Sequence, residues 1–190
     1  MGKVELKKNP VLRWLMWGCG VIPVDRSAGA EAYSVAVDRL REGFLLGVYP
    51  EATISRSFEL KEFKTGAVRM AAEAGVPIVP CIVWGSQRQW SKGTQRRMGR
   101  RRIPVSVRFG TPLHVDASAD PATETERLKS VMSSLLDAVR ADYPEHPRGA
   151  DWVPAAMGGS APTLEEAHEI EVVEEAEKAA ARAAKRAEKA

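Results

Sequence analysis

Phe44-Leu45-Leu46-Gly47-Val48-Tyr49 is an unbroken apolar run that stops at Pro50-Glu51. A segment with one wet face would carry a polar residue at every second position. This one carries none, so it reads as a strand covered on both sides. Helical periodicity flanks it. Residues 30–41 set Ala32, Val35, Ala36 and Leu40 on one face, with Gly43 as the stop, and residues 66–74 form an Ala-rich helix closed by Gly75. A chain that alternates covered strands with such helices is expected to fold as a layered α/β domain with a mostly parallel sheet.

The alternation continues downstream. Val76 to Trp84 reads as strand despite Pro77 and Pro80, and Ile103 to Phe109 alternates apolar and polar residues as an edge strand with one wet face would. Residues 124–143 place Leu128, Met132, Leu135, Leu136 and Val139 on one helical stripe. Upstream, Asn9-Pro10 opens a helix that passes Trp14 and Trp17, and Val21 to Val24 is a short strand. The boundaries expected are an α/β domain over 1–143, a Pro/Gly-rich linker over 144–162 and a low-complexity Ala/Glu/Lys tail over 163–190. The tail favours helix by composition. Its apolar face is almost entirely Ala, so a solvated helical or disordered segment is expected.

The 190 residues suffice for one domain burying roughly 70% of its unfolded surface. A net charge of +3 is too small to demand nucleic acid, but allows an anionic surface where cations cluster. Cys19 and Cys81 form neither a disulfide framework nor a metal set, and read as reduced thiols in a cytoplasmic protein. The apolar stretch over 12–24 is broken by Gly18, Gly20 and Pro23, so it does not span a bilayer.

Chemistry gathers where the apolar run ends. Glu51 is followed by Thr53, Ser55, Arg56 and Ser57, and then Phe63-Lys64-Thr65-Gly66 opens the next helix. Open α/β sheets bind ligands at the carboxyl ends of strands. Arg56 and Lys64, with the N–H groups of the helix start, are suited to a phosphate. Lysine at a helix start gains nothing from the helix dipole, so Lys64 calls for another role.

These residues resemble the glycerolipid acyltransferase family, bacterial 1-acylglycerol-3-phosphate acyltransferases in particular, over roughly residues 1–115. Gly20-Val-Ile-Pro-Val-Asp-Arg26 resembles the family's second block. Tyr49 to Ser57 resembles the third, usually F-P-E-G-T-R-S, and Val76-Pro-Ile-Val-Pro80 the fourth. The resemblance implies phosphate contacts from Arg26, Glu51, Thr53, Ser55, Arg56 and Lys64, and an acyl site walled by Pro77, Val79 and Pro80. It implies transfer of a fatty acyl group from acyl-CoA or acyl carrier protein to lysophosphatidic acid, giving phosphatidic acid, with no metal or redox cofactor.

The sequence departs from that pattern twice. Ala52 replaces the third block's Gly, and two residues appear inserted before Arg56, which leaves Ser55, Arg56 and Ser57 all open as phosphate contacts. The first block, H-x-x-x-x-D, supplies the general base, a group with a pKa near neutrality. No histidine precedes Gly20. The expectation is a domain incomplete at its N-terminus, with its base upstream of Met1. His146-Pro-Arg-Gly-Ala-Asp151 fits the spacing, but it sits in a Pro/Gly loop after the other blocks and reads as a chance match; His114 and His168 read as ordinary surface or strand-end residues.

The steepest charge feature is a loop carrying Arg88, Lys92, Arg96, Arg97, Arg100, Arg101 and Arg102, near Trp84 and Trp90. An anionic membrane surface touched by Arg96, Arg97, Arg100, Arg101 and Arg102 is the leading reading, with each cation worth about 1 kcal/mol near such a surface. A solvated loop follows closely, and nucleic acid comes last. The lipid readings place the protein on the cytoplasmic side, peripheral to the inner face of the plasma membrane. The rival function is a catalytically inactive fragment that binds lysophospholipid or anionic membrane.

Overall fold

A computed structural model of the chain describes residues 2–3, 23–24, 29–94, 96–97 and 102–187. The chain divides into two compact units. The first gathers Met1–Ala52, Phe63–Pro80 and Phe109–Met132, and the second gathers Thr53–Glu62, Cys81–Arg108 and Ser133–Ala190.

In the first unit, β1 (Gly2–Lys3) pairs in parallel with β2 (Pro23–Val24). Helices α1 (Gly29–Arg41) and α2 (Gly66–Ala74) pack through Ala36, Val37 and Met70, with Tyr33, Leu40, Leu46 and Ala74 around them. The Tyr33 hydroxyl donates to Glu73 at 2.7 Å and Arg41 donates to the Glu73 carbonyl at 3.1 Å, fixing the helices at their polar margin. Gly75 ends α2 in the left-handed region at φ 67°, and the N–H of Val76 reaches the Ala71 carbonyl at 3.1 Å. Asp120 caps α3 (Pro121–Asp142), accepting from the Thr123 N–H at 2.8 Å, with Pro at the first helical position.

The run Phe44 to Tyr49 corrects the sequence expectation. It is not a strand, and Leu45 and Tyr49 are 97% and 90% exposed. A strand exists only where a second edge offers a ladder, and the described residues offer this run none. Only Leu46 turns inward, against the α1–α2 core.

In the second unit, β3 (Cys81–Trp84) and β4 (Ser106–Phe109) form a two-stranded sheet. The expected strand from Val76 contributes its first half only as an antiparallel bridge at Ile78–Leu113, because Pro77 and Pro80 lack the N–H a ladder needs. The described strands therefore form two small sheets instead of the single, mostly parallel sheet expected. The wet face of β4 is the apolar one. Val107 and Phe109 stand exposed while Ser106 and Arg108 are half-buried, and Arg108 pairs with Asp142.

The buried side of this unit is aromatic. Trp84, Tyr143 and Trp152 are buried, and the Tyr143 hydroxyl donates to the Pro104 carbonyl at 2.8 Å. The Pro/Gly-rich stretch closes on itself: the N–H of Gly149 reaches the Gly158 carbonyl at 2.8 Å and that of Ser160 reaches Ala150 at 3.0 Å. Trp152, Val153 and Pro154 are buried within it. Helix α4 (Leu164–Ala187) starts with a capping box: the Thr163 N–H donates to Glu166 at 2.8 Å and the Glu166 N–H to the Thr163 hydroxyl at 3.2 Å.

Candidate functional site

The loop from Thr53 to Ser57 lies between two residues with unusual backbones. Ala52 has φ 60° and Phe58 has φ 59°, both in the left-handed region that side chains other than glycine resist. Strain of this kind persists only where the surroundings hold it. Arg140 holds the far end. Its guanidinium donates to the Phe58 carbonyl at 2.8 Å, pairs with Glu59 at 3.0 Å and lies over the Trp84 ring at 4.7 Å.

Inside the loop, Ser57 is buried, lies 3.0 Å from the Ser55 hydroxyl and accepts from the Glu59 N–H at 3.2 Å. It is a structural residue of the turn. Thr53 accepts from Lys61 Nζ at 2.9 Å. Arg56 carries the loop's positive charge. Its side chain is only 12% exposed, and among the described residues its Nε meets no acceptor. A buried guanidinium with an unmatched donor is suited to a ligand with several anionic oxygens. Gly93, at φ 85°, completes the seat, since a Cβ there would collide with Arg56 Nη1. Lys92 precedes it in a turn closed between Ser91 and Thr94.

The cations are already matched by carboxylates from α4. Glu174 pairs with Arg56, and also with Lys92 at 3.1 Å and Lys178 at 3.1 Å; Glu171 pairs with Lys61. Lys92, Lys178 and Arg56 together hold the Glu174 carboxyl below its ordinary range. Of the two states expected for the tail, helical or disordered, it takes the helical one, and its inner face is not wholly solvated.

The other candidates stand elsewhere. Glu51 is half-buried and the Lys64 side chain exposed; the Lys64 N–H reaches the Pro50 carbonyl at 2.9 Å, so the backbone of Phe63-Lys64 is tied to the Pro50-Glu51 turn. Pro77 and Val79 are exposed, whereas Pro80 is buried and accepts from the Gly110 N–H at 2.8 Å. Arg26, Arg100 and Arg101 lie outside the described residues.

Much of the basic loop is internally paired. Arg97 donates to both oxygens of Asp151 at 2.8 Å, and Arg88 bonds the Tyr143 hydroxyl at 3.1 Å and Glu145 at 3.0 Å. Arg96 stacks on Trp90 at 4.3 Å, and Trp90 is exposed, while Trp84 is buried and faces no surface.

His146 accepts from Trp84 Nε1 at 3.1 Å, with the Tyr143 and Trp152 rings beside it. Burial, and then the charges of Arg140 and Arg88, push its pKa down. Asp151 is turned to Arg97, which takes both of its carboxylate oxygens. Lys61, Gly93, Arg140, Glu171 and Glu174 escaped the sequence reading, because their partners are distant in the chain. Only the capping box and the Glu174–Lys178 spacing announce the helix that delivers the two acids.

Three comparisons place these features among known proteins. Residues 1–84 match the family model described as acyltransferase. The chain is 33% identical over 120 residues to a 1-acyl-sn-glycerol-3-phosphate acyltransferase of Limnanthes douglasii, covering 61% of this chain and 42% of that protein. It is 30% identical over 152 residues to the Homo sapiens 1-acyl-sn-glycerol-3-phosphate acyltransferase alpha, covering 75% of this chain and 50% of that protein. The chain thus spans half or less of the length of these two relatives. The crystal structure of the 1-acyl-sn-glycerophosphate acyltransferase PlsC from Thermotoga maritima shares the fold. Its TM-score is 0.61 at 21% identity, covering 76% of this chain and 57% of that one.

Proposed function

We propose that this chain, which belongs to the glycerolipid acyltransferase family, serves O-acyl transfer to 1-acylglycerol 3-phosphate to give phosphatidic acid. The observation that carries the reading is the seat of Arg56: a largely buried guanidinium, in a loop whose backbone is held left-handed at both ends, with Lys92 paired to the same carboxylate. Arg56 grips the acceptor's phosphate, helped by Lys92 and the Thr53 and Ser55 hydroxyls. Glu51, Lys64 and Arg26 are assigned a phosphate-binding role by position in the family's blocks alone. Pro77 and Val79 wall the acyl chain, while Pro80 shapes the backbone beneath them.

The acceptor hydroxyl attacks the thioester carbonyl of acyl-CoA or acyl carrier protein. Its proton passes to a general base and the thiolate leaves. The thioester supplies the driving force, so the proposed reaction includes neither metal nor redox cofactor. Among the described residues none is assigned the role of base. Arg96, Arg102 and exposed Trp90 are assigned to an anionic leaflet on the cytoplasmic face. No helix among the described residues is long and apolar enough to cross a membrane.

The test is binding of a short-chain 1-acylglycerol 3-phosphate, followed by mass-spectrometric detection of phosphatidic acid with acyl-CoA supplied. Replacing Arg56 with Ala is expected to weaken binding roughly 10- to 100-fold, the range for one charge-assisted contact. Unchanged binding would sink the phosphate assignment. Binding without product would favour the non-catalytic lipid binder.

A further inference from the structure

The face that α4 turns inward is acidic where an ordinary docking helix is apolar. From Ala167 onward the residues not fully exposed include Ala167, Glu171 and Glu174, spaced one turn apart, while Ile170, Val172 and Val173 point to solvent. Ala167 is the one buried side chain among the described residues of the helix. Apolar burial therefore holds the helix only weakly past its first turns. Ion pairs hold the rest: Glu171 to Lys61, and Glu174 to Arg56 and Lys92.

These carboxylates sit on the same cations that the proposed reading gives to a phosphate. The fit is imperfect on both sides. Arg56 Nε and Glu171 Oε1 are buried, and each lacks a hydrogen-bond partner among the described residues. A phosphate monoester offers three oxygens and up to two charges, and satisfies a guanidinium more fully than one carboxylate oxygen does.

We infer that α4 is an autoinhibitory strap: Glu174 and Glu171 occupy the phosphate-binding cations as internal stand-ins, and a phosphate monoester displaces them. The inference rests on the phosphate reading of Arg56 and adds regulation to it. Its logic is competitive. A ligand that binds only the open form sees its affinity reduced by the fraction of molecules that are open. Raising ionic strength weakens ion pairs more than apolar contacts, though partly buried pairs such as these less than exposed ones, so the strap loosens modestly in salt.

The experiment measures binding of sn-glycerol 3-phosphate to the full chain at low salt, in four forms: unmodified, Glu171→Gln with Glu174→Gln, Arg56→Ala, and all three together. With the strap, the double acid variant binds about tenfold more tightly than the unmodified chain, the scale of a few partly screened ion pairs. Arg56→Ala removes most binding in either background. In parallel, amide hydrogen exchange over residues 167–178 of the unmodified chain speeds up when sn-glycerol 3-phosphate is added, a readout that needs no variant to fold.

Equal affinity in the unmodified and double acid forms, with Arg56→Ala still weakening both, overturns the strap and leaves the phosphate site standing. Binding indifferent to Arg56 overturns the site, and the strap with it. Slower exchange over 167–178 on ligand addition also overturns the strap, since it would make α4 part of the bound state.

Discussion

The α1–α2 pair and helix α4 are all regular helices, yet they are held by opposite forces. The first pair meets through Ala36, Val37 and Met70, apolar side chains that leave water together. Helix α4 is engaged through Glu171 and Glu174, each matched to a cation. Apolar burial has no ligand that competes with it and little sensitivity to salt. Ion-paired contact has both. The two forces therefore predict different responses to salt and to anionic ligands in the two regions.

The largest expected break in that contrast comes from Met70→Ala. It should cost about 2–5 kcal/mol, the range for emptying a packed aliphatic site, and lower the midpoint of a denaturant melt. Val173→Ala on the exposed face of α4 should stay within about 0.5 kcal/mol. If both substitutions cost the same, α4 is docked by apolar contact and the contrast fails.

A smaller effect sharpens the loop side. Ala52 takes φ 60°, where the family's third block usually has Gly. Ala52→Gly should relieve the side-chain penalty and gain about 0.5–1 kcal/mol after the added flexibility of the unfolded chain. A loss of stability on calorimetry would mean the left-handed turn is not the native one.

The smallest effect is in pH. His146 is held below its ordinary value of 6.5, so between that value and its lowered one the unfolded chain binds more protons than the folded chain. Its contribution is complete above pH 6.5, declines as pH falls through 6.5 and levels off beneath the folded value. His146→Gln should flatten that part of the stability profile. A wild-type profile already flat there would contradict the lowered pKa of His146.

Several elements were readable from residues alone for local reasons. Gly75 marks the end of α2, and the stripe Leu128, Leu136, Val139 lies buried as its spacing requires, whereas α3 starts at Pro121, ahead of the expected residue 124. The order of the segments at 20–26, 49–57, 63–66 and 76–80 carried the resemblance to the acyltransferase family. By contrast, Phe44 to Tyr49 carries the composition of a covered strand and lies open, and β4 turns Val107 and Phe109 outward.

The candidate site divides along the same line. Arg56 was singled out from its neighbours in sequence, but its seat depends on Gly93, its loop on Arg140 and its present partner on Glu174, all far away in the chain. Caps, helical periods and block motifs are set by residues within a turn or two of one another, so the amino-acid sequence determined them by itself. Which face of a strand meets water, which serine is buried and which acid reaches a given arginine depend on pairings between segments tens of residues apart. A period or a motif holds no record of those pairings, and only the tertiary structure decided them.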